Sequence, residues 1–239
     1  MATLLRNLGW NPIIVPAFTE TPQDDPRDAI QFAADLQDGK YDQVIFLTGV
    51  AVRQLAKIQL PLPELQKAVT IARGPKPAAA LREIGITPTI IIREPATWRE
   101  ILAALADQPK RSTAVIEYGR SDERLLAGLT DLNIPHQSVA VYHYDFPADR
   151  APVQDVLARL ARKEFDVVIF TASVQYMFLA AAASDDTWKQ GLRHAYIASI
   201  GPTMTETLEA DGIPVNFQPS SSKMGILIHE LARQNISKP

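Results

Sequence analysis

A chain of 239 residues holds one large domain or two small ones, and its 46% hydrophobic and 21% charged residues suit packed cores, not a disordered polymer. A formal net charge of -3 supplies no basic field for nucleic acid or an anionic membrane surface. Cysteine is absent, which excludes disulfides, thiolate zinc sites, thiol nucleophiles and cluster ligation, and the four histidines (His136, His143, His194, His229) are scattered without the close pairing of a zinc helix.

No apolar run reaches the ~18 residues of a membrane span, and no basic-then-apolar leader opens the sequence, so the expected setting is the cytoplasm. In chain order, a helix over Ala2–Leu8 leads through Gly9-Trp10-Asn11 into a strand over Pro12–Phe18. Strands over Gln43–Leu47, Ala68–Ala72, Pro88–Ile92 and Thr113–Tyr118 are followed by helices over Val50–Ile58, Pro75–Ile84, Thr97–Ala106 and Asp122–Leu132. A strand over His136–Tyr142 precedes a helix over Pro152–Arg162. Strands over Val167–Phe170, His194–Ser199 and Pro214–Phe217 then alternate with helices over Val174–Ala183 and Pro202–Ala210. Such alternation predicts right-handed βαβ units and parallel sheets covered by helices.

An internal repeat refines this α/β reading. Asp42-Gln43-Val44-Ile45-Phe46-Leu47-Thr48 matches Asp166-Val167-Val168-Ile169-Phe170-Thr171-Ala172, and Thr70-Ile71-Ala72-Arg73-Gly74-Pro75 matches Ile197-Ala198-Ser199-Ile200-Gly201-Pro202. A third match, in the same order, joins Ala80–Ile86 to Thr207–Ile213. In both halves a proline opens the helix and a glycine follows its end. The helix and strand after Thr113–Tyr118 also have counterparts, in the helix Ala2–Leu8 and the strand at Ile13. Thr113–Tyr118 itself has none, so the first strand of the terminal lobe is expected to be missing.

The repeat divides the chain into a discontinuous terminal lobe (1–17 and 148–239) and an inserted middle lobe (23–141). The crossings at 18–22 and 142–147 are punctuated by Pro16, Pro22 and Pro147, which suit extended connectors. Two such crossings are expected to pair as a short ribbon, with a cleft between the lobes.

Ligands of open α/β sheets sit beyond the strand carboxyl ends. Four corners stand there: Thr48-Gly49, Arg73-Gly74-Pro75-Lys76, Thr171-Ala172-Ser173 and Gly201-Pro202-Thr203. Each offers backbone N–H groups with a hydroxyl or small residue, a chemistry suited to carboxylates or phosphates. For any one corner a plain helix cap or turn is the commoner role; four of them favour anion binding. Arg53, Arg73, Lys76 and Arg120 lie nearby, and Tyr142 and Tyr144 lie on the second crossing, where alternation aims both at one face. Glu117 and Asp122 flank a strand-to-helix corner without the spacing of a working acid/base pair. No Walker loop, GxGxxG, GxSxG or HExxH is present. Catalysis here would rest on binding and orientation.

Taken in order, Leu47-Thr48-Gly49-Val50-Ala51-Val52-Arg53-Gln54-Leu55, Ile71-Ala72-Arg73-Gly74-Pro75-Lys76, Val141-Tyr142, Ile169-Phe170-Thr171-Ala172-Ser173 and Ile200-Gly201-Pro202-Thr203 resemble the uroporphyrinogen-III synthase family over nearly the whole chain. The resemblance implies two flavodoxin-like lobes with parallel sheets, joined by a two-stranded ladder. It implies cyclisation of hydroxymethylbilane with inversion of the last pyrrole ring and loss of water, without a cofactor or metal, by a monomer that binds neither nucleic acid nor membrane. It places the family's tyrosine on Tyr142 and substrate contacts on Thr48, Gly49, Arg73, Gly74, Thr171, Ser173, Gly201 and Thr203. The family often carries a further threonine or valine where this chain has Met204. A non-catalytic, two-lobed tetrapyrrole- or anion-binding module of the same fold is the alternative, and a phosphorylated-sugar enzyme ranks behind both for want of a placed general base.

Overall fold

The computed structural model describes residues 1–234 and 236. The elements run α1 (Ala2–Asn7), β1 (Thr19–Pro22), α2 (Arg27–Gln37), β2 (Gln43–Phe46), α3 (Gly49–Leu55), α4 (Leu62–Lys67), β3 (Val69–Ala72), α5 (Pro75–Glu83), β4 (Ile90–Ile91), α6 (Trp98–Leu105), β5 (Thr113–Ile116), α7 (Glu123–Asp131), β6 (His136–Val139) and β7 (Tyr142–Asp145). They continue with α8 (Ala151–Ala161), β8 (Val167–Phe170), α9 (Ser173–Ala182), α10 (Thr187–His194), β9 (Tyr196–Ser199), α11 (Pro202–Ala210) and α12 (Met224–Leu231). The chain divides into two compact units, Glu20–Tyr144 and Met1–Thr19 with Asp145–Pro239. β1 and β7 form a two-stranded ladder where the chain passes from one to the other.

The Glu20–Tyr144 unit is built on a parallel sheet of order β4-β3-β2-β5-β6. Successive residues of a strand point to opposite faces, and β2 shows the consequence. Val44 and Phe46 join Phe32, Leu36, Leu55, Leu65 and Leu81 on one face. Ile45 and Leu47 join Ile101, Leu105, Leu125 and Leu129 on the other. Helices therefore cover both sides of the sheet, and every residue of β2 is buried. α2 was not among the segments singled out above, although Ala29, Phe32 and Leu36 recur at helical spacing and are buried.

In the second unit β8 pairs parallel with β9. Phe170 and Ile197 pack with Leu157, Leu160, Trp188, Leu192 and Leu208 on one face. Leu227 and Leu231 of α12 pack with Ala198 on the other. Gly191 lets α10 lie against α8, since a Cβ there would collide with the Leu160 carbonyl.

Three strand expectations need correction. Pro12–Phe18 forms no strand: among the described residues nothing pairs with it, and Pro12 and Pro16 have no N–H to offer a ladder. Pro214–Phe217 contributes one parallel bridge, Ala198 with Phe217, in place of a strand; Pro214 has no N–H to offer a ladder. His136–Tyr142 breaks into β6 and β7, which belong to different sheets. Among the described residues the sheet of the second unit therefore has two strands, β8 and β9, against five in the Glu20–Tyr144 unit.

Candidate functional site

From β2 the chain of the Glu20–Tyr144 unit steps outward to β3 and β4, then returns to the other side of β2 for β5 and β6. The reversal makes the carboxyl ends of β2 and β5 the topological switch point, where open sheets receive their ligands. Thr48, Arg73, Glu117 and Asp122 lie at or next to these strand ends.

At the end of β2, Thr48 caps α3, its Oγ1 accepting from the Ala51 N–H at 3.1 Å. The same hydroxyl lies 3.2 Å from the Tyr142 phenol, which lies 3.4 Å from that of Tyr144. The two rings meet edge to face at 5.6 Å. Their packing depends on Gly119, whose φ of +80° favours glycine and whose added Cβ would sit 2.8 Å from Tyr144 and 3.0 Å from Tyr142. Burial is the main cause that raises the Tyr142 pKa, opposed by its hydrogen bonds to Thr48 and Tyr144. Tyr144 is raised further, again chiefly by burial. Both phenols therefore stay protonated near neutrality and can donate.

At the end of β3, Arg73 reaches back across the switch point. Its Nε donates to the Leu47 carbonyl at 3.1 Å, and its guanidinium lies 3.8 Å from Asp122 and 4.8 Å from the centre of the Tyr118 ring. Asp122 is buried and also caps α7 by accepting from the Leu125 N–H. A cation held by a carbonyl, a carboxylate and an aromatic face is fixed in place, with further N–H groups for an anion. Gly74 has a φ of +92° and opens α5, while Gly49 lets α3 approach α5, its would-be Cβ lying 3.1 Å from the Lys76 carbonyl oxygen. The buried Glu117 accepts from the Ser121 hydroxyl at 2.6 Å. Arg53 is drawn to Glu83, 3.2 Å away on the surface, so it serves α5 and not the switch point.

Of the residues singled out in the sequence, Thr48 meets Tyr142, and Arg73 bonds the carbonyl of Leu47 beside Thr48. Tyr118 and Gly119 went unremarked there. The run Tyr118-Gly119-Arg120-Ser121-Asp122 after β5 was the available signal, since a glycine beside an aromatic at a strand end permits close packing.

The corners of the second unit are built differently. Gln175 of α9 turns back so that its Oε1 accepts from the backbone N–H of Thr171 at 2.7 Å and of Ala172 at 3.2 Å. Ser173 lies at the start of α9, with its hydroxyl 3.0 Å from that of Thr207. Gly201 precedes α11 in extended backbone, where a Cβ would collide with the Ser222 hydroxyl, and Thr203 lies in the first turn. Met204 is buried in the core, so the unit has no second hydroxyl at that position. Among the described residues no group of three or more His, Asp or Glu side chains is arranged to hold a metal, and no helix is long and apolar enough to cross a membrane.

Comparison with known proteins places this geometry in a family. Residues 1–229 match the family model described as uroporphyrinogen-III synthase HemD. An uncharacterized protein, YjjA of Bacillus subtilis (strain 168), is 28% identical over an alignment that covers 98% of this chain and 90% of the relative. A mutant uroporphyrinogen III synthase of the extremely thermophilic bacterium Thermus thermophilus superposes with a TM-score of 0.73 at 23% identity, covering 97% of this chain and 92% of that one. The wild-type enzyme from the same bacterium gives 0.56 at 26% identity over 97% and 91%. The uroporphyrinogen-III synthetase of Helicobacter pylori 26695 gives 0.52 at 19% over 90% and 88%. With the family model spanning all but the last ten residues, the chain belongs to the uroporphyrinogen-III synthase family.

Proposed function

We propose that the protein cyclises hydroxymethylbilane to uroporphyrinogen III, with inversion of the last pyrrole ring and loss of water, as a cofactor-free cytoplasmic lyase of porphyrin and haem biosynthesis. The observation that carries this reading is the Tyr142 phenol, kept protonated by burial at a sheet switch point, beside a fixed guanidinium. Departure of the substrate's hydroxyl breaks a C–O bond and needs a proton. Tyr142 donates it, water leaves, and the azafulvene cation that remains is attacked by the substituted carbon of the last ring to give a spiro species. Its bond to the neighbouring ring then breaks and re-forms at the last ring's other α carbon, inverting the ring. The final ring deprotonation releases a proton that restores the Tyr142 phenol by way of solvent. The enzyme's larger task is to hold the tetrapyrrole so that the correct carbon attacks.

The substrate carries many carboxylates. Thr48, Gly49, Arg73 and Gly74 provide a guanidinium and helix-opening N–H groups for them. In the second unit the same reading assigns Thr171, Ser173, Gly201 and Thr203 to neutral carboxylate contacts. The competing reading, a non-catalytic tetrapyrrole-binding module, draws on the burial of Tyr142, which is 1% exposed and already paired with two hydroxyls.

Turnover decides between them. The assay follows hydroxymethylbilane and separates the type III product from the spontaneous type I isomer. Tyr142→Phe is expected to lower the type III rate roughly 10- to 100-fold, the low end for one general acid because the hydroxyl leaves readily. Binding of the tetrapyrrole should persist and weaken with salt. Binding without any type III product from the wild type would establish the module. An unchanged rate in Tyr142→Phe would remove the proton-donor role and leave positioning as the mechanism.

A further inference from the structure

A proton given up by Tyr142 has to leave a sealed phenol. Tyr142 is 1% exposed and belongs to the core that holds Phe46 and Val141. Its ring packs edge to face on Tyr144 and close to Gly119. A hydroxyl buried in this way does not itself touch a leaving group on a bound substrate, so the proton needs an exit.

Among the described residues two side-chain hydroxyls neighbour this phenol, Thr48 Oγ1 at 3.2 Å and the Tyr144 oxygen at 3.4 Å. Both residues are partly exposed. Thr48 is the poorer exit. An aliphatic hydroxyl is a far weaker acid than a phenol, and the Thr48 oxygen already accepts from the Ala51 N–H at the start of α3. Its one O–H serves best as a donor to Tyr142. Tyr144 is a phenol, lies two residues further along β7 and so faces the same side. Packing on Tyr142 would use its ring and has no need of its hydroxyl.

The surroundings also decide where a negative charge comes to rest. Burial is the main cause that opposes an anion at Tyr142, and the Glu20 carboxylate opposes it too. Hydrogen bonds from Thr48 and Tyr144, and the charge of Arg73, favour it. At Tyr144 burial comes first, and Tyr142, Glu20 and Tyr118 all act in the same unfavourable direction. The exposed phenol is therefore the one that reaches outward, and the buried phenol is the one that holds the charge better.

Given the cyclisation proposed above, on which this step rests, we propose that Tyr144 is the catalytic residue that touches the substrate and passes the proton of Tyr142 to the departing hydroxyl. The Tyr144 O–H bond breaks as its proton moves to the hydroxyl oxygen, and the C–O bond breaks with its electron pair leaving on water. The Tyr142 proton moves to the Tyr144 oxygen in the same step. A phenolate is left at Tyr142, with Thr48 and Tyr144 as its donors. The 3.4 Å between the phenols shortens for this transfer, as catalytic hydrogen bonds do when substrate binds. Tyr142 then acts through Tyr144, which reconciles its burial with a part in proton transfer.

Single-turnover formation of the type III isomer by the full chain tests this. Tyr144→Phe keeps the ring contact at 5.6 Å and is expected to lower the rate about 10- to 100-fold, as Tyr142→Phe does, with KM and melting temperature close to those of the wild type. The double variant should be slower than Tyr144→Phe by no more than about twofold, because both residues serve one proton path. In mixtures of H2O and D2O the wild-type rate should curve with the deuterium fraction, the mark of two protons in flight, and the Tyr142→Phe rate should follow a straight line. A full rate in Tyr144→Phe beside a slow Tyr142→Phe would overturn the relay and leave cyclisation with direct donation standing. Losses that multiply in the double variant would mean two independent roles and overturn it as well. A straight wild-type line has the same consequence and needs no variant at 144. A wild type that makes no type III product removes the cyclisation itself, and the relay with it.

Discussion

Replacing Gly119 by alanine tests whether the tyrosine pair is held by backbone geometry. The residue sits at φ +80°, where an L side chain costs about 1–2 kcal/mol. Its Cβ would also stand 2.8 and 2.9 Å from Tyr144 ring carbons and 3.0 Å from Tyr142, distances at which both rings have to shift. Overpacking of this kind adds about 1–3 kcal/mol, so the Glu20–Tyr144 unit should lose roughly 2–5 kcal/mol, a fall in Tm on the order of 10 °C. Gly39→Ala is the control. It has φ +72° with nothing within 4 Å of the new Cβ, so only the backbone cost applies. The Tyr142–Thr48 contact, already 3.2 Å, lies near the limit of a hydrogen bond and should be lost in Gly119→Ala alone. Thermal unfolding of both variants, with type III turnover, reads the two effects. If Gly119→Ala melts no lower than Gly39→Ala and keeps full turnover, the rings yield freely and the packing argument fails.

In the other unit, Gly191→Ala places a methyl into the Leu160 backbone and should separate α10 from α8, at a cost of about 3 kcal/mol or more; urea unfolding showing a loss under about 1 kcal/mol would contradict that contact. Asp35 accepts from Lys40 at 2.7 Å, Gln31 at 2.8 Å and Tyr41 at 3.2 Å, and the Lys40 hydrogen bond leads the causes that hold its pKa below the ordinary carboxylate value. A lowered folded pKa means stability that is present above the unfolded value near 4 and lost as pH falls through the folded one. Asp35→Ala should therefore cost about 1–3 kcal/mol at pH 7 and much less near pH 2; equal losses at both would refute the charge-based account.

The repeat made much of this architecture legible. Asp42–Leu47 and Asp166–Thr171 share their apolar pattern, and the two strands make matching backbone bonds to β3 and β9. Thr48 and Arg73 were singled out because strand ends mark where ligands of open sheets gather, and Tyr142 because it lies on a crossing and matches the family's tyrosine. What stayed hidden was non-local. Pro12–Phe18 has the composition of a strand, but a strand exists only by pairing, and composition does not report whether a neighbour is present. Tyr41 meets Asp35 six residues away and also donates to Gln137, 96 positions along the chain, at 2.8 Å. Burial and Asp35 push the Tyr41 pKa up to about 12, a consequence no spacing rule could supply.

The two halves also diverge where chemistry would be done. Arg73 at the end of β3 is answered by Ile200 at the end of β9, and the Thr48 cap by an alanine, Ala172, with Gln175 bonding the backbone instead. One switch point is left with a guanidinium, a buried carboxylate and proton-bearing phenols; the other has neutral hydroxyls, partly spent on one another. Aliphatic hydroxyls can orient a carboxylate by hydrogen bonds, but they are far weaker acids than a phenol and protonate a departing hydroxyl poorly. The Glu20–Tyr144 unit is therefore the half in which proton donation has to occur if the chain cyclises hydroxymethylbilane. Substitutions at Thr171 or Thr203 should then weaken substrate binding at nearly constant maximal rate, whereas Tyr142→Phe lowers the maximal rate itself.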